Sequence, residues 1–144
     1  MSCFLLDVNV LIALIDPTHV QHDRAHHWFG ATGKRAWATC PLTEIGVLRI
    51  VGHKRYPNTP GPPAVVAELL AGLRALPGHE FWPDDATLFN DRIVDRTRLL
   101  DSGQVTDTYL LALASAHRGK FATFDRHLVT DAVINGLSAI LPII

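Results

Sequence analysis

The sequence predicts an α/β fold, with a mostly parallel sheet and helices on its faces. Two observations carry this prediction: short apolar segments typical of strands alternate with longer segments of helical period, and Pro or Gly residues separate them. Strands that alternate with helices favour parallel pairing through crossover connections. The length of 144 residues fits one domain, so we expect residues 1–144 to form a single unit.

The first fifty residues or so contain two predicted strands and three predicted helices. Residues 3–6 form a short apolar strand, and residues 36–39 form the next one. Between them, a second helix is expected from about residue 22 to residue 29. Pro41 suits the first turn of a third helix. The first helix follows the spacing i, i+3, i+4, i+7 up to a stop at Asp16-Pro17, with apolar residues at Val8, Leu11, Ile12 and Ile15.

The rest of the chain continues the alternation after a loop. Residues 53–63 hold four prolines and a glycine, which predicts a loop between helices. A helix follows until Pro77-Gly78, and residues 80–82 form a short strand. The next helix runs through residues 110–117, and Gly119 is expected to stop it. The final two strands are predicted at residues 120–123 and 139–143.

The composition excludes several classes of protein. A hydrophobic content of 48% with 19% charged residues is typical of a globular chain and not of a disordered one. The net charge of −1 argues against binding to nucleic acid mainly by bulk charge, although it leaves room for a local basic rim. The longest nearly apolar stretch, residues 8–15, is far shorter than the roughly 20 residues of a membrane span. We therefore expect no membrane association and a cytoplasmic location.

The two cysteines, Cys3 and Cys40, lie in apolar segments and do not form a C-x-x-C pair. Two buried, reduced thiols of a cytosolic protein are the preferred interpretation. A disulfide stays open as the alternative, because the two predicted strands can be neighbours.

Four acidic residues carry most of the functional information. They are found where a predicted strand ends or a predicted helix begins, at Asp7, Glu44, Asp107 and Asp125. The carboxyl ends of parallel strands meet at one edge of a sheet, where ligand sites lie, and the first turn of a helix favours an acidic side chain. The sequence therefore predicts that the four carboxylates converge at this edge.

A group of carboxylates repels itself unless a cation lies between its members. Oxygen ligands suit Mg²⁺, which polarises a phosphoryl oxygen and lowers the pKa of a bound water. The four acids therefore predict metal-dependent phosphodiester chemistry, with one or two ions.

Four short motifs carry a resemblance to a known family. They are Asp7-Val8-Asn9, Thr43-Glu44, Thr106-Asp107-Thr108-Tyr109-Leu110 and Thr123-Phe124-Asp125-Arg126. In this order and setting they resemble the acidic motifs of PIN-domain nucleases, and in detail those of the VapC toxins of mycobacterial toxin–antitoxin pairs. One D-x-N or T-x-D alone is a weak signal, whereas the ordered set is specific. The resemblance covers nearly the whole chain.

The resemblance implies a fold, an activity and partners. It implies a three-layer α/β/α sandwich and an endoribonuclease that depends on Mg²⁺ or Mn²⁺ and cleaves tRNA or ribosomal RNA. It also implies a homodimer and a VapB-like antitoxin whose C-terminal segment blocks the active site.

The same resemblance assigns roles to individual residues. It matches the four acids, Asp7, Glu44, Asp107 and Asp125, to the metal-site acids of the family. Supporting roles fall to Asn9, Thr106 and Thr123. Ile45 departs from the pattern, because some relatives have a polar residue there.

Several basic residues have two open interpretations. Arg49, Arg126 and His127 are candidates for contacts with the RNA backbone, and a purely solvent-exposed role is the alternative. The histidines at positions 19, 22, 26 and 27 are clustered, and the spacing between His22 and His26 would suit a transition-metal site. A solvated helix face is the preferred interpretation, because no cysteine joins the set.

Two other functions compete with the nuclease. One is a catalytically silent PIN-like module that only binds RNA or a protein partner. The other is a phosphotransfer enzyme with Asp7 as nucleophile, as in haloacid-dehalogenase-like phosphatases. Those enzymes carry D-x-D after the first strand, and here the third position is Asn9.

Overall fold

A five-stranded, fully parallel sheet forms the centre of the computed structural model, which describes residues 2–144. The strand order is β3-β2-β1-β4-β5. The strands are β1 (Phe4–Leu6), β2 (Trp37–Thr39), β3 (His79–Phe81), β4 (Lys120–Thr123) and β5 (Ile140–Pro142). The parallel sheet confirms the predicted α/β class, and β1 lies at its middle.

Within residues 2–144, six α-helices surround this sheet: α1 (Val8–Ile15), α2 (His22–Ala31), α3 (Pro41–Val51), α4 (Pro63–Arg74), α5 (Val105–Ala116) and α6 (Gly136–Ala139). Apolar residues of α1 to α4 pack with Leu6 and Trp37 on one face of the sheet. Residues of α5 pack with Leu5 and Phe121 on the other face. The structure therefore has the three layers that the motifs implied.

The central strands β1, β2 and β4 are mostly apolar because both faces of the sheet are covered there, whereas the edge strand β3 is His-Glu-Phe and largely exposed. In β1, Leu5 and Leu6 are both fully buried, but they point into different layers. Trp37 of β2 is also fully buried and packs edge-on against Phe29 of α2. This double burial explains why the strands lack the alternation of an exposed sheet.

The end of α5 differs from the prediction that Gly119 stops the helix. The residue with left-handed backbone is Arg118, with φ of 57°. Gly119 is needed for another reason, because a Cβ at this position would lie 2.4 Å from the backbone oxygen of Cys3. The chain therefore requires glycine for the close approach of two backbones as β4 begins beside β1.

The predicted loop after α3 is anchored to the end of α1. Asp16 is buried there and accepts hydrogen bonds from the Tyr56 hydroxyl and from the backbone N–H and hydroxyl of Thr18. Burial alone would raise the pKa of Asp16, but these hydrogen bonds outweigh it and hold the pKa below its ordinary value. Asp16 is therefore ionised at neutral pH, and its carboxylate anchors the loop.

We expect Tyr56→Phe to lower the free energy of unfolding by about 1.5–3 kcal/mol at neutral pH, the usual contribution of a hydrogen bond to a charged group. A lowered carboxyl pKa contributes stability above the unfolded-state pKa, and this contribution is lost as the pH falls through the folded-state pKa. Urea unfolding should therefore show a smaller loss of unfolding free energy in Tyr56→Phe at about pH 3 than at about pH 7. An equal deficit at both pH values would contradict this account.

Two smaller expectations also concern the fold. Cys3 and Cys40 are both free thiols, as the preferred interpretation predicted, but only Cys40 is buried and Cys3 is half-buried. Among residues 2–144, no helix combines the length and the apolar sequence that crossing a bilayer would require.

Candidate active site

Asp7 is the most strongly held of the predicted site residues. It follows β1 directly and caps α1, with its Oδ1 accepting a hydrogen bond of 2.7 Å from the backbone N–H of Val8. Its Oδ2 accepts a second bond of 2.7 Å from the hydroxyl of Thr123. Only 8% of Asp7 is exposed. Both carboxylate oxygens therefore have fixed directions at the carboxyl edge of the sheet.

Asn9 and Thr123 connect the ends of the two central strands. The side-chain Nδ2 of Asn9 donates to the Thr123 hydroxyl oxygen at 3.3 Å, and the backbone N–H of Phe124 donates to the side-chain Oδ1 of Asn9 at 3.3 Å. The backbone N–H of Asp125 also donates to the Thr123 hydroxyl oxygen, at 3.0 Å. Thr123 therefore contacts both acidic segments, the one after β1 and the one after β4.

The charges of Asp7, Asp107 and Asp125 act on one another. Burial raises the pKa of Asp7 to about 6, and the negative charges of Asp107 and Asp125 add to this rise. The pKa of Asp107, in the first turn of α5, is also raised, first by burial and then by the charge of Asp125. The fold therefore brings three aspartates from distant parts of the chain close enough to repel one another.

Glu44 differs from the three aspartates in its contacts. It lies in the first turn of α3, and its Oε2 accepts a hydrogen bond of 2.7 Å from the hydroxyl of Thr39. The same oxygen lies 3.1 Å from Nε of Arg74, at the end of α4. Glu44 is thus paired with a cation, whereas the aspartates face like charges.

A Mg²⁺ or Mn²⁺ ion would suit the chemistry of this donor set. All of the side chains are carboxylates, and a cation would offset the burial and the neighbouring charges that raise the pKa of Asp7. Within residues 2–144, however, no three His, Cys, Asp or Glu side chains are grouped so that they could hold a metal ion. Each oxygen of Asp7 accepts one bond from the protein and keeps a second lone pair for an ion, whereas the exposed Asp125 would have to turn toward it.

The remaining predicted residues lie on the surface. Thr106 is exposed at the start of α5, next to Asp107. Arg49 is exposed on α3, and Arg126 and His127 are exposed in the segment after β4. The backbone N–H of His127 donates to Asp125 Oδ1 at 2.9 Å, which links this segment to the acidic group. Arg126 and His127 are therefore next to the acids in sequence and open to solvent.

The clustered histidines have a structural role at the end of α1. His22 Nδ1 lies 2.7 Å from the carbonyl oxygen of Ala13, and His26 Nε2 lies 2.8 Å from that of Leu14. Their rings are 4.3 Å apart. Each ring therefore uses a nitrogen to cap a carbonyl that the helix end leaves without a partner. This contact with α1 goes beyond the solvated helix face of the preferred interpretation, and it gives no support to a transition-metal site.

Sequence reasoning missed the residues around Glu44. Thr39 Oγ1 lies 2.8 Å from His79 Nε2, and because the hydroxyl donates to Glu44, it accepts its second bond from the His79 N–H. The position of Thr39 at the end of β2 was a usable signal, since the acids occupy equivalent positions. Nothing in the local sequence around Arg74 or His79 indicates that they meet Glu44.

Comparison with known proteins now decides the family. The sequence profile described as "PIN domain" matches residues 4–131, from β1 to beyond the acidic segment that follows β4. This chain belongs to the PIN-domain family. The resemblance to PIN-domain proteins is therefore confirmed, and the roles of the four acids stay predictions.

Relatives place this PIN domain among the VapC proteins. It is 45% identical over 129 residues to Ribonuclease VapC44 of Mycobacterium tuberculosis, covering 90% of each chain. It is 42% identical over 137 residues to Ribonuclease VapC39 of the same organism, covering 95% of this chain and 98% of the relative. The mycobacterial VapC resemblance is thereby confirmed over almost the full length of both relatives.

The fold also agrees with a solved structure. That structure is VapBC2 from Rickettsia felis bound to a DNA fragment from the promoter. The TM-score is 0.58 at 14% identity, and the match covers 87% of this chain and 89% of the other. At this identity the comparison supports the PIN-like arrangement of sheet and helices.

Proposed function

We propose that this PIN domain is the toxin of a toxin–antitoxin pair and acts as a metal-dependent endoribonuclease. The observation that carries the proposal is the convergence of Asp7, Asp107 and Asp125 at the carboxyl edge of the sheet, where the Thr123 hydroxyl contacts both Asp7 and the backbone of Asp125. A protein maintains such a group of acids at a cost in stability, which favours a functional role. The relatives named as ribonucleases support the same reaction class.

Asp7, Asp107 and Asp125 would hold a Mg²⁺ or Mn²⁺ ion, with Glu44 beside them. When bound, such an ion polarises a phosphoryl oxygen and lowers the pKa of a water molecule. The chain's own contribution is orientation. The Thr123 hydroxyl and the Val8 N–H each donate to one oxygen of Asp7. The same hydroxyl accepts a hydrogen bond from the backbone N–H of Asp125, so Thr123 positions both acids.

The reaction is hydrolysis of a phosphodiester by water. Attack by water leaves a 5′-phosphate on one fragment and a 3′-hydroxyl on the other. The chain has no Ser, Cys or Lys in a recognisable nucleophile motif. We therefore expect these two ends on the products, and 2′,3′-cyclic phosphate ends would contradict the proposal, because they arise from attack by the RNA's own 2′-hydroxyl.

The substrate and partners follow from the same proposal. The substrate is a tRNA or ribosomal RNA, which places the protein in the cytoplasm. A VapB-like antitoxin binds the toxin, in keeping with the VapBC2 complex of Rickettsia felis that shares the fold. Because the net charge is −1, RNA binding needs a groove shared by two subunits of a homodimer. Full activity of a protein that light scattering shows to be monomeric would contradict the shared groove.

Removal of the metal should abolish cleavage. We expect the purified, antitoxin-free protein to cut total bacterial RNA into discrete fragments with Mg²⁺ or Mn²⁺ and to leave it intact with EDTA. Gel analysis with the three conditions side by side measures this, and re-addition of the metal is the control for irreversible damage. Equal cleavage in EDTA would argue against metal-dependent hydrolysis.

A further inference from the structure

Arg74 is held at the rim of the acidic site by contacts on two sides. Its Nε lies 3.1 Å from Glu44 Oε2, and its guanidinium carbon lies 5.7 Å from the centre of the Phe81 ring. Phe81 is the last residue of β3 and therefore lies at the carboxyl edge of the sheet. Helix α4 ends at Arg74, and the Arg74 side chain reaches the edge of the sheet where the acids lie.

The contact with Glu44 occupies only part of the guanidinium. Arginine has five N–H donors in a planar fork, and a carboxylate at Nε covers the side edge of that fork. The end of the fork, formed by the two Nη groups, is then available to a further ligand. Within residues 2–144 Arg74 forms no ion pair with any acid other than Glu44, and 41% of its side chain is exposed.

The orientation of Glu44 is itself controlled by neighbouring side chains. His79 donates to the Thr39 hydroxyl, which donates to the same Glu44 oxygen that faces Arg74. This chain of hydrogen bonds runs from β3 through β2 to α3. Glu44 therefore has a fixed position, and it fixes the direction of the Arg74 guanidinium in turn.

The charge of Arg74 matters because RNA must approach an acidic site. Four carboxylates would repel the phosphates of a substrate. Among the residues that the structure describes, Arg74 is the arginine or lysine that forms an ion pair with one of the four acids. A planar arginine fork matches the oxygens of a phosphate, and a fork oriented in advance loses little entropy on binding.

We propose that Arg74 binds an RNA phosphate next to the one that is cleaved, with Glu44, Thr39 and His79 as its positioning residues. The inference rests on the proposed ribonuclease function and adds a substrate contact to it. The simpler alternative is that Arg74 only ties α4 to α3 through Glu44.

The test measures RNA binding in EDTA, where no cleavage occurs. The probe is fluorescently labelled bulk bacterial tRNA, and anisotropy gives the Kd at several potassium chloride concentrations. For Arg74→Gln we expect a Kd raised by about tenfold at low salt and a slope of log K against log salt reduced by about 0.7–0.9, the value for one lost phosphate contact. Arg74→Lys should keep the slope and bind less tightly than the unmodified protein, because it keeps the charge and lacks the fork.

Arg35→Gln is the matched control. Arg35 is also exposed and, within residues 2–144, forms no ion pair, but it lies just before β2 at the opposite edge of the sheet. Its removal should leave both Kd and slope unchanged. Circular dichroism checks that each variant is folded, and if Arg74→Gln does not fold, an unchanged Kd for Arg74→Lys overturns the inference.

The outcomes separate this inference from the proposed function. If the unmodified protein cleaves RNA and Arg74→Gln binds tRNA with unchanged Kd and slope, Arg74 only ties the helices together and the inference is wrong. If the unmodified protein neither binds nor cleaves RNA, the proposed function fails and the inference fails with it.

Discussion

Replacing Asp7 with Asn should reduce RNA cleavage by about a thousandfold or more, the scale of losing a central electrostatic group of an active site. Asn caps a helix as well as Asp does, and its side-chain oxygen can keep the bond from the Val8 N–H. Its NH2 group takes the place of Oδ2 and faces the Thr123 hydroxyl, to which it donates instead of accepting. The variant therefore keeps the fold and loses the charge. Cleavage of total bacterial RNA with Mg²⁺ measures the effect, and Asp107→Asn should behave alike.

Asp23→Asn is the matched control, because Asp23 is an exposed acid on α2 and should not affect cleavage. A toxic effect in cells that survives Asp7→Asn would instead favour the catalytically silent binding module. A trapped aspartyl-phosphate at Asp7 would favour the phosphotransfer enzyme.

The same substitution should stabilise the metal-free protein. Burial raises the pKa of Asp7 from 3.8 to about 6, so ionised Asp7 costs up to about 3 kcal/mol above that pH. A raised carboxyl pKa contributes stability below the unfolded-state value, and this contribution is lost as the pH rises through the folded-state value. Thermal unfolding in EDTA should give Asp7→Asn a higher Tm than the unmodified protein at about pH 8, and this difference in Tm should shrink toward about pH 4. A gain that does not change with pH would contradict burial of the charge as its cause.

Gly78→Ala should destabilise the protein by roughly 3 kcal/mol or more, since it combines backbone strain with overpacking. Gly78 has φ of +91°, and an added Cβ would lie 2.3 Å from the backbone oxygen of Lys34 and 2.8 Å from that of Arg35. Its own carbonyl accepts from Trp37 N–H at 3.0 Å, so a shift at Gly78 disturbs the pairing of β2 with β3. Urea unfolding and soluble yield measure the loss.

Gly72→Ala provides the matched control in the same part of the chain. Gly72 lies within α4, and an added Cβ there meets nothing within 4 Å. Replacement of a helical glycine with alanine should raise stability by up to about 1 kcal/mol. Similar unfolding midpoints for the two variants would contradict the expectation that backbone strain and close backbone contacts require glycine at position 78.

Much of the fold and part of the site could be read from local sequence. The spacing of apolar residues predicted α1 to its last residue, and Pro41 marked the first residue of α3. These features depend on period and on backbone preferences, which act over a few residues. The positions of Asp7 and Asp125 after strands were also local, and parallel pairing of β1 with β4 was enough to bring them together.

The sequence by itself therefore determined the α/β class, the order of the five strands and of the helices α1 to α5, and which acids stand at the carboxyl edge, but not the short helix α6. Only the tertiary structure decided what each acid meets: like charges for Asp7, but Arg74 and Thr39 for Glu44. It also decided that Gly119 is needed for close backbone approach and not as a helix stop. The physical reason is that pairing across layers depends on side-chain direction and on contacts between residues far apart in the chain, and no local period encodes them.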